Sequence, residues 1–211
     1  MTELASLLGI GVALFLGAAS PGPSFVLVAR TAASDGRPAG LASALGMGVG
    51  GLCFAVVCLL GLHAALLAVP SLYTAFKVVG GAYLVYLGVR IWRGARQPLD
   101  VHLDASRTAA RRPWSHFTLA FITQLSNPKS ALVYASVFAA LMPATPGVGY
   151  KLAVAALVFA VEVGWYAAVA SVLSASGPRA AYLRSKLWVD RTAGAVLGAL
   201  GLKLASSHTL S

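Results

Sequence analysis

Six apolar runs divide this chain, at roughly residues 4–30, 39–67, 71–92, 114–142, 150–175 and 187–206. A helix crosses the hydrocarbon core of a bilayer in about 20 residues, so each run has the length of a membrane span. Only 10% of the residues are charged, against about 25% in soluble domains, too few to cover a water-facing surface. Lipid cannot pair with peptide groups, so spans must be helices or a closed barrel. Runs of this length and continuity indicate helices. The sequence therefore predicts an all-α integral membrane protein with six transmembrane helices.

Two of these runs carry helix breakers inside them. The first contains Ser20-Pro21-Gly22-Pro23-Ser24 and the fourth contains Ser126-Asn127-Pro128-Lys129-Ser130. Proline lacks the N–H that a helix interior needs and clashes with the preceding turn. A break at membrane depth is tolerated only where it is buried in protein or lines a polar cavity. A second correspondence accompanies the breaks. Gly81–Arg90 (GAYLVYLGVR) closes the third run and Gly194–Lys203 (GAVLGALGLK) closes the sixth. Both read G-A-x-L-x-x-L-G-x-[R/K]. The chain thus divides into repeat one (1–92), a polar connector (93–113) and repeat two (114–211), forming a single transporter domain. Three spans per repeat is an odd number, so the second copy enters the membrane from the opposite side. Inverted repeats with helices broken at matching positions are a recurrent design of secondary transporters.

Net charge is +10, but it falls in short clusters between the apolar runs. No basic patch interleaved with aromatics accompanies it, which excludes nucleic acid as a partner. Arg30 and Arg37 flank the 1–2 loop. Arg90, Arg93, Arg96, Arg107, Arg111 and Arg112 flank the 3–4 loop, and Arg179, Arg184, Lys186 and Arg191 the 5–6 loop. Lys151 and Lys203 lie at the other side. Basic loops stay cytoplasmic, so both termini face outward, unless the first run re-enters at Pro21–Pro23 and returns the N-terminus inside. Glu3 is the one charged residue ahead of the first apolar run, and a signal peptide would carry a basic start. A retained first helix is the better reading.

Broken helices supply chemistry. The N–H groups freed at the start of a half-helix carry partial positive charge and can hold a carboxylate; the freed carbonyls can hold an ammonium. Two facing breaks could bind a zwitterion. Pro21, Gly22, Pro23, Ser24, Asn127, Pro128, Lys129 and Ser130 are the candidate substrate contacts, with Lys129 suited to a substrate carboxylate or to pairing with Glu162. Glu162 lies near the middle of the fifth run, where a charged carboxylate costs about 3 kcal/mol on insertion scales. A carboxyl group that loads and releases a proton is what a proton-coupled carrier needs. Trp165 and Tyr166, three and four residues on, share its helical side. Lys77, about six residues or 9 Å into its run, and Asp190, at the matching place in the sixth, are further intramembrane charges.

Other residues point away from alternative chemistries. Gly46 and Gly50 form a GxxxG spacing suited to close helix packing. Cys53 and Cys58 lie about 140° apart around one helix, which disfavours a disulfide between them. A thiol–disulfide electron carrier of related architecture would need a cysteine near each break, and these two lie far in sequence from both. An intramembrane protease would need a Ser–His pair at depth, and His63 sits near the outer end of its run. No metal cluster, phosphate loop or cofactor motif is present, and the chain reads as a non-enzyme.

The stretches SPGPSFVLVAR, FKVVGGAYLVYLGVRIW, FITQLSNPKSALVYASVF and DRTAGAVLGALGLKLA, in this order, resemble the lysine exporter / homoserine–threonine exporter family of bacterial amino-acid efflux proteins (LysE/RhtB type). The resemblance covers nearly the whole chain. It implies a multi-pass protein of the bacterial inner membrane that exports amino acids, by exchange with protons. It places Pro21, Gly22, Pro23, Asn127, Pro128 and Lys129 at motif positions, with Lys77 and Glu162 at polar positions of segments three and five. Position 24 often carries Asn in this family and here is Ser24, a change at a substrate contact. The scarcity of acids in the spans favours neutral amino acids such as threonine, homoserine or leucine. The partners expected are the amino acid, protons and lipid, with a homodimer as the possible assembly.

Overall fold

The structure, a computed structural model, describes residues 3–20, 22–62, 70–96, 113–143, 145–175, 187–188, 191–192 and 194–202. The described residues form helices and their connections, with no strand among them. Helix α1 runs Glu3–Ala19 and α2 Pro23–Ser34, with a 61° bend between them. Pro23 occupies the start of α2 behind the extended Gly22, a position where a missing N–H costs nothing. Gly36 then turns the chain at φ 87°, a conformation that glycine reaches without penalty, and α3 follows at Arg37–Val57, extended by a π-turn at Cys58–Leu62. Helix α4 is Pro70–Gly94. The second break separates α5 (Pro113–Leu125) from α6 (Pro128–Leu141), and α7 is Val148–Leu173. Residues 194–202 are helical.

Among the described residues two helices are long and apolar enough to cross a bilayer alone, Arg37–Leu60 and Val148–Leu173, and the bent pair α1–α2 passes the same test when its halves are taken together, as a broken span or a re-entrant loop. Their outward faces are apolar too. Leu4, Leu8, Val12 and Phe15 recur at helical spacing on the exposed side of α1, while Ser6, Ile10, Ala13, Leu14 and Gly17 face inward. Sorting by hydropathy fails here because lipid rewards apolar residues on the outside as well. What separates the faces is size and polarity.

Helix α3 is the packing hub, lying between α5 and α7. A Cβ on Gly50 would sit 2.8 Å from the Gln124 side chain, and one on Gly46 would strike the Phe117 carbonyl. The GxxxG spacing thus serves close packing, here against α5. One residue on, a Cβ on Gly51 would sit 2.6 Å from the Tyr134 hydroxyl and 2.9 Å from Glu162 Cγ. The two G-A-x-L-x-x-L-G motifs also meet. A Cβ on Gly201 would come 2.5 Å from the Gly81 carbonyl, and one on Gly194 2.6 Å from the Gly88 carbonyl. The first glycine of each copy therefore faces the last glycine of the other, an antiparallel contact with local two-fold character.

Two apolar clusters lie toward opposite ends of the helices. One gathers Ile10, Leu14, Ala55, Leu59, Val133, Phe138, Val154 and Val158; the other gathers Phe25, Val28, Ala44, Met47, Ala120, Tyr166 and Val169. At one end Ser6 bonds the Leu141 carbonyl and lies 2.6 Å from the Tyr150 hydroxyl. At the other, His116 Nδ1 faces Asp35 Oδ2 at 3.8 Å. The first run therefore passes from the Leu141–Tyr150 end to the Asp35–His116 end.

The glycine crossing predicts a specific sensitivity. Gly88→Val forces a side chain into the neighbouring backbone and is expected to cost about 1–3 kcal/mol, the usual scale of overpacking. Gly164→Val, where a Cβ meets nothing within 4 Å, is expected to leave the thermal melting of the detergent-purified protein unchanged.

Candidate functional site

The polar belt lies between the two apolar clusters on every element that crosses it. On α7, Val158 belongs to one cluster, Tyr166 to the other, and Glu162 falls between. On α3, Gly51 lies between Met47 and Ala55. The first break lies between Leu14 and Phe25, and the second between Ala120 and Val133. The sequence expectation that the breaks face each other holds. A small cleft is lined by Ser20, Gly22 and Ser24 from the first break, Asn127, Lys129 and Ser130 from the second, and Tyr134, Glu162 and Tyr166.

Hydrogen bonds weld these residues together. Glu162, 3% exposed, accepts from the Tyr134 hydroxyl at 2.8 Å and from Gln124 Nε2 at 3.3 Å. The other end of the Gln124 amide accepts from Ser24 Oγ at 2.6 Å and from Ser130 Oγ at 3.3 Å. Ser24 Oγ accepts in turn from Asn127 Nδ2 at 2.9 Å, while Asn127 Oδ1 accepts from the Lys129 backbone N–H at 3.0 Å. Asn127 therefore caps α6 and reaches across to the first break at once. Buried polar groups need partners, and this web supplies them with side chains from α2, α5, α6, α7 and the second break.

The carbonyls freed by the first break are met by side chains from elsewhere. Pro21 and Pro23 cannot donate. Lys129 Nζ donates to the Ser20 carbonyl at 2.7 Å, and Trp165 Nε1 donates to the Ala18 carbonyl at 3.2 Å. Trp165 also packs edge-on against Phe15, with ring centroids 5.1 Å apart. It is thus a cap for the break and is not among the residues lining the cleft, whereas Tyr166 is. Lys129 and Glu162 line the same cleft, but the hydrogen bonds to Glu162 come from Tyr134 and Gln124. Pro23 and Pro128 start their half-helices. Pro21 and Asp190, the side chain of Lys77, and His63 lie outside the described residues.

Gln124, Tyr134 and Ser20 were missed by sequence reasoning. Gln124 lies six residues before Ser130, in the half-helix that ends at the break, and that placement is the signal that could have found it. Cys53 and Cys58 are free thiols on α3 and its π-turn. Neither lines the cleft, so the cleft holds no thiol pair for electron transfer.

Gln124→Leu keeps the approximate volume and removes the amide. It leaves Glu162, Ser24 and Ser130 each one partner short, and an unmade buried hydrogen bond costs about 1–3 kcal/mol. The variant is expected to melt earlier than the parent protein in differential scanning fluorimetry and to lose transport.

Comparison with known proteins adds an independent line. The family model described as "LysE type translocator" matches residues 15–208. A threonine efflux protein of Salmonella typhi is 32% identical over 189 residues, covering 90% of this chain and 92% of that one. The threonine efflux protein of Escherichia coli K12 is 31% identical with the same coverage. An uncharacterised membrane protein of Pseudomonas aeruginosa is 34% identical over 201 residues, 90% of each chain. No solved structure matches the chain.

Proposed function

The chain belongs to the LysE type translocator family, and we propose that it exports a neutral amino acid from the bacterial cytoplasm in exchange for protons. Family and relatives place it as a multi-pass transport protein of the inner membrane. One observation carries the finer reading: two half-helix N-termini, a lysine and a single buried carboxyl line one cleft at the middle of the helices.

Each part has a task. The N-termini of α2 and α6 carry partial positive charge and, with Lys129, suit a substrate carboxylate. Glu162 suits either a proton or the substrate ammonium. If ammonium and proton exclude each other at this one carboxyl, loading of one requires departure of the other, and exchange follows from competition alone. Glu162 is the one acidic side chain among the described residues that line the cleft. A cationic substrate side chain would call for a second, so the cleft favours neutral amino acids. The names of the threonine efflux relatives point the same way, to a small neutral zwitterion such as threonine, homoserine or leucine.

The architecture we propose is six spans in two inverted three-helix repeats, with the broken spans one and four crossing at the site. The facing breaks and the antiparallel contact of Gly81 with Gly201 and Gly88 with Gly194 support it. In this arrangement the arginine-rich loops face the cytoplasm.

Efflux of labelled amino acids from cells with and without the protein tests the reading, and no amino acid leaving faster would overturn it. In vesicles, Glu162→Gln is expected to abolish efflux driven by a pH gradient, because the amide cannot exchange a proton. Full proton-coupled transport by that variant would remove Glu162 from the coupling. Lys129→Ala is expected to raise KM about tenfold or more, the scale of one hydrogen bond to a charged group.

A further inference from the structure

Ser20 is 1% exposed and lines the cleft, and its hydroxyl is buried with no hydrogen-bond partner among the described residues. A buried hydroxyl without a partner is uncommon in folded proteins and calls for an explanation. The Ser43 hydroxyl is also unpartnered, but it is not among the residues lining the cleft. Every other serine lining the cleft is spoken for: Ser24 and Ser130 both donate to Gln124.

Ser20's surroundings define what it waits for. Its own carbonyl is held by the Lys129 ammonium at 2.7 Å. The N-terminus of α2 begins at Gly22–Pro23, two residues on, and a Cβ on Gly22 would lie 3.3 Å from Lys129 Nζ. The acidic group of the cleft, Glu162, is engaged by Tyr134 and Gln124. Ser20 thus brings an O–H donor to a cleft that also holds an ammonium and a helix N-terminus, a set that matches a group that only accepts and carries negative charge. We propose that Ser20 is a substrate-binding residue that donates its hydroxyl hydrogen to the α-carboxylate of the transported amino acid. This deepens the amino-acid exporter reading and rests on it. It makes Ser20 a contact common to all substrates, independent of their side chains.

Uptake of labelled threonine into inside-out membrane vesicles tests this, with threonine, leucine and their amino alcohols threoninol and leucinol as competitors. The amino alcohols lack the carboxylate. Ser20→Ala is expected to weaken threonine and leucine alike, about tenfold to a hundredfold for a hydrogen bond to a charged group. It leaves the alcohols unchanged, so the gap between acid and alcohol narrows. Ser20→Thr, which retains the hydroxyl, restores the gap. Ser20→Cys, close in size and a weak donor, gives an intermediate gap and serves if the alanine variant does not fold. Unchanged threonine and leucine affinities in Ser20→Ala would overturn the proposal. So would a loss confined to threonine, which would assign Ser20 to the substrate side chain. Wild-type vesicles that take up no amino acid would instead overturn the exporter reading, and this proposal with it.

Discussion

Every peptide group released by a break in a membrane helix has to find its partner inside the protein, since lipid supplies none. Much of the interior follows from this. The first break frees carbonyls at its upstream end, and Lys129 and Trp165 are spent on two of them. Those two side chains come from α6 and from α7. The break is thereby tied to the elements that carry the rest of the site. Asn127 does the same in the other direction, capping α6 while donating to Ser24. A defect in one helix thus becomes the joint of several.

The apolar clusters on either side of the belt give the joint its setting. They pack the ends of the same helices, and the polar groups have no place except between them. Glycines on α3 let the hub approach closely enough for Glu162 and Tyr134 to close over Gly51. A larger residue there would hold α7 away, and the carboxyl would lose its neighbours. Site and packing are set by one short run of small side chains.

Much of this was legible in the sequence, and the parts that were not share a cause. Prolines at Pro21, Pro23 and Pro128 announce themselves, because no apolar span needs them. Glu162 stands out as an acid at depth. Gly46 and Gly50 declare close packing. Gln124, Tyr134 and Ser20 do not stand out, since uncharged polar residues are ordinary in such helices. Their importance comes from the neighbours that folding brings, 100 positions away for the Ser24–Gln124 pair. Trp165 was legible as a neighbour of Glu162, but its bond to Ala18 depends on which way a ring turns. Lys129 was expected to meet an acid or a substrate, and the structure adds a partner that expectation did not include, the Ser20 carbonyl. A sequence shows which side chains carry charge, but it leaves hidden the backbone oxygens that attract them.

The glycine crossing between α4 and residues 194–202 has one more consequence. In each motif the first glycine meets the last glycine of its counterpart, so the two surfaces match only when they run antiparallel. Copies of one helix in separate molecules of the same membrane all point the same way and cannot pair in this fashion. The mate that suits either motif is therefore the other motif, and carrying both in one chain supplies it at very high effective concentration. The repeat makes the contact intramolecular by default.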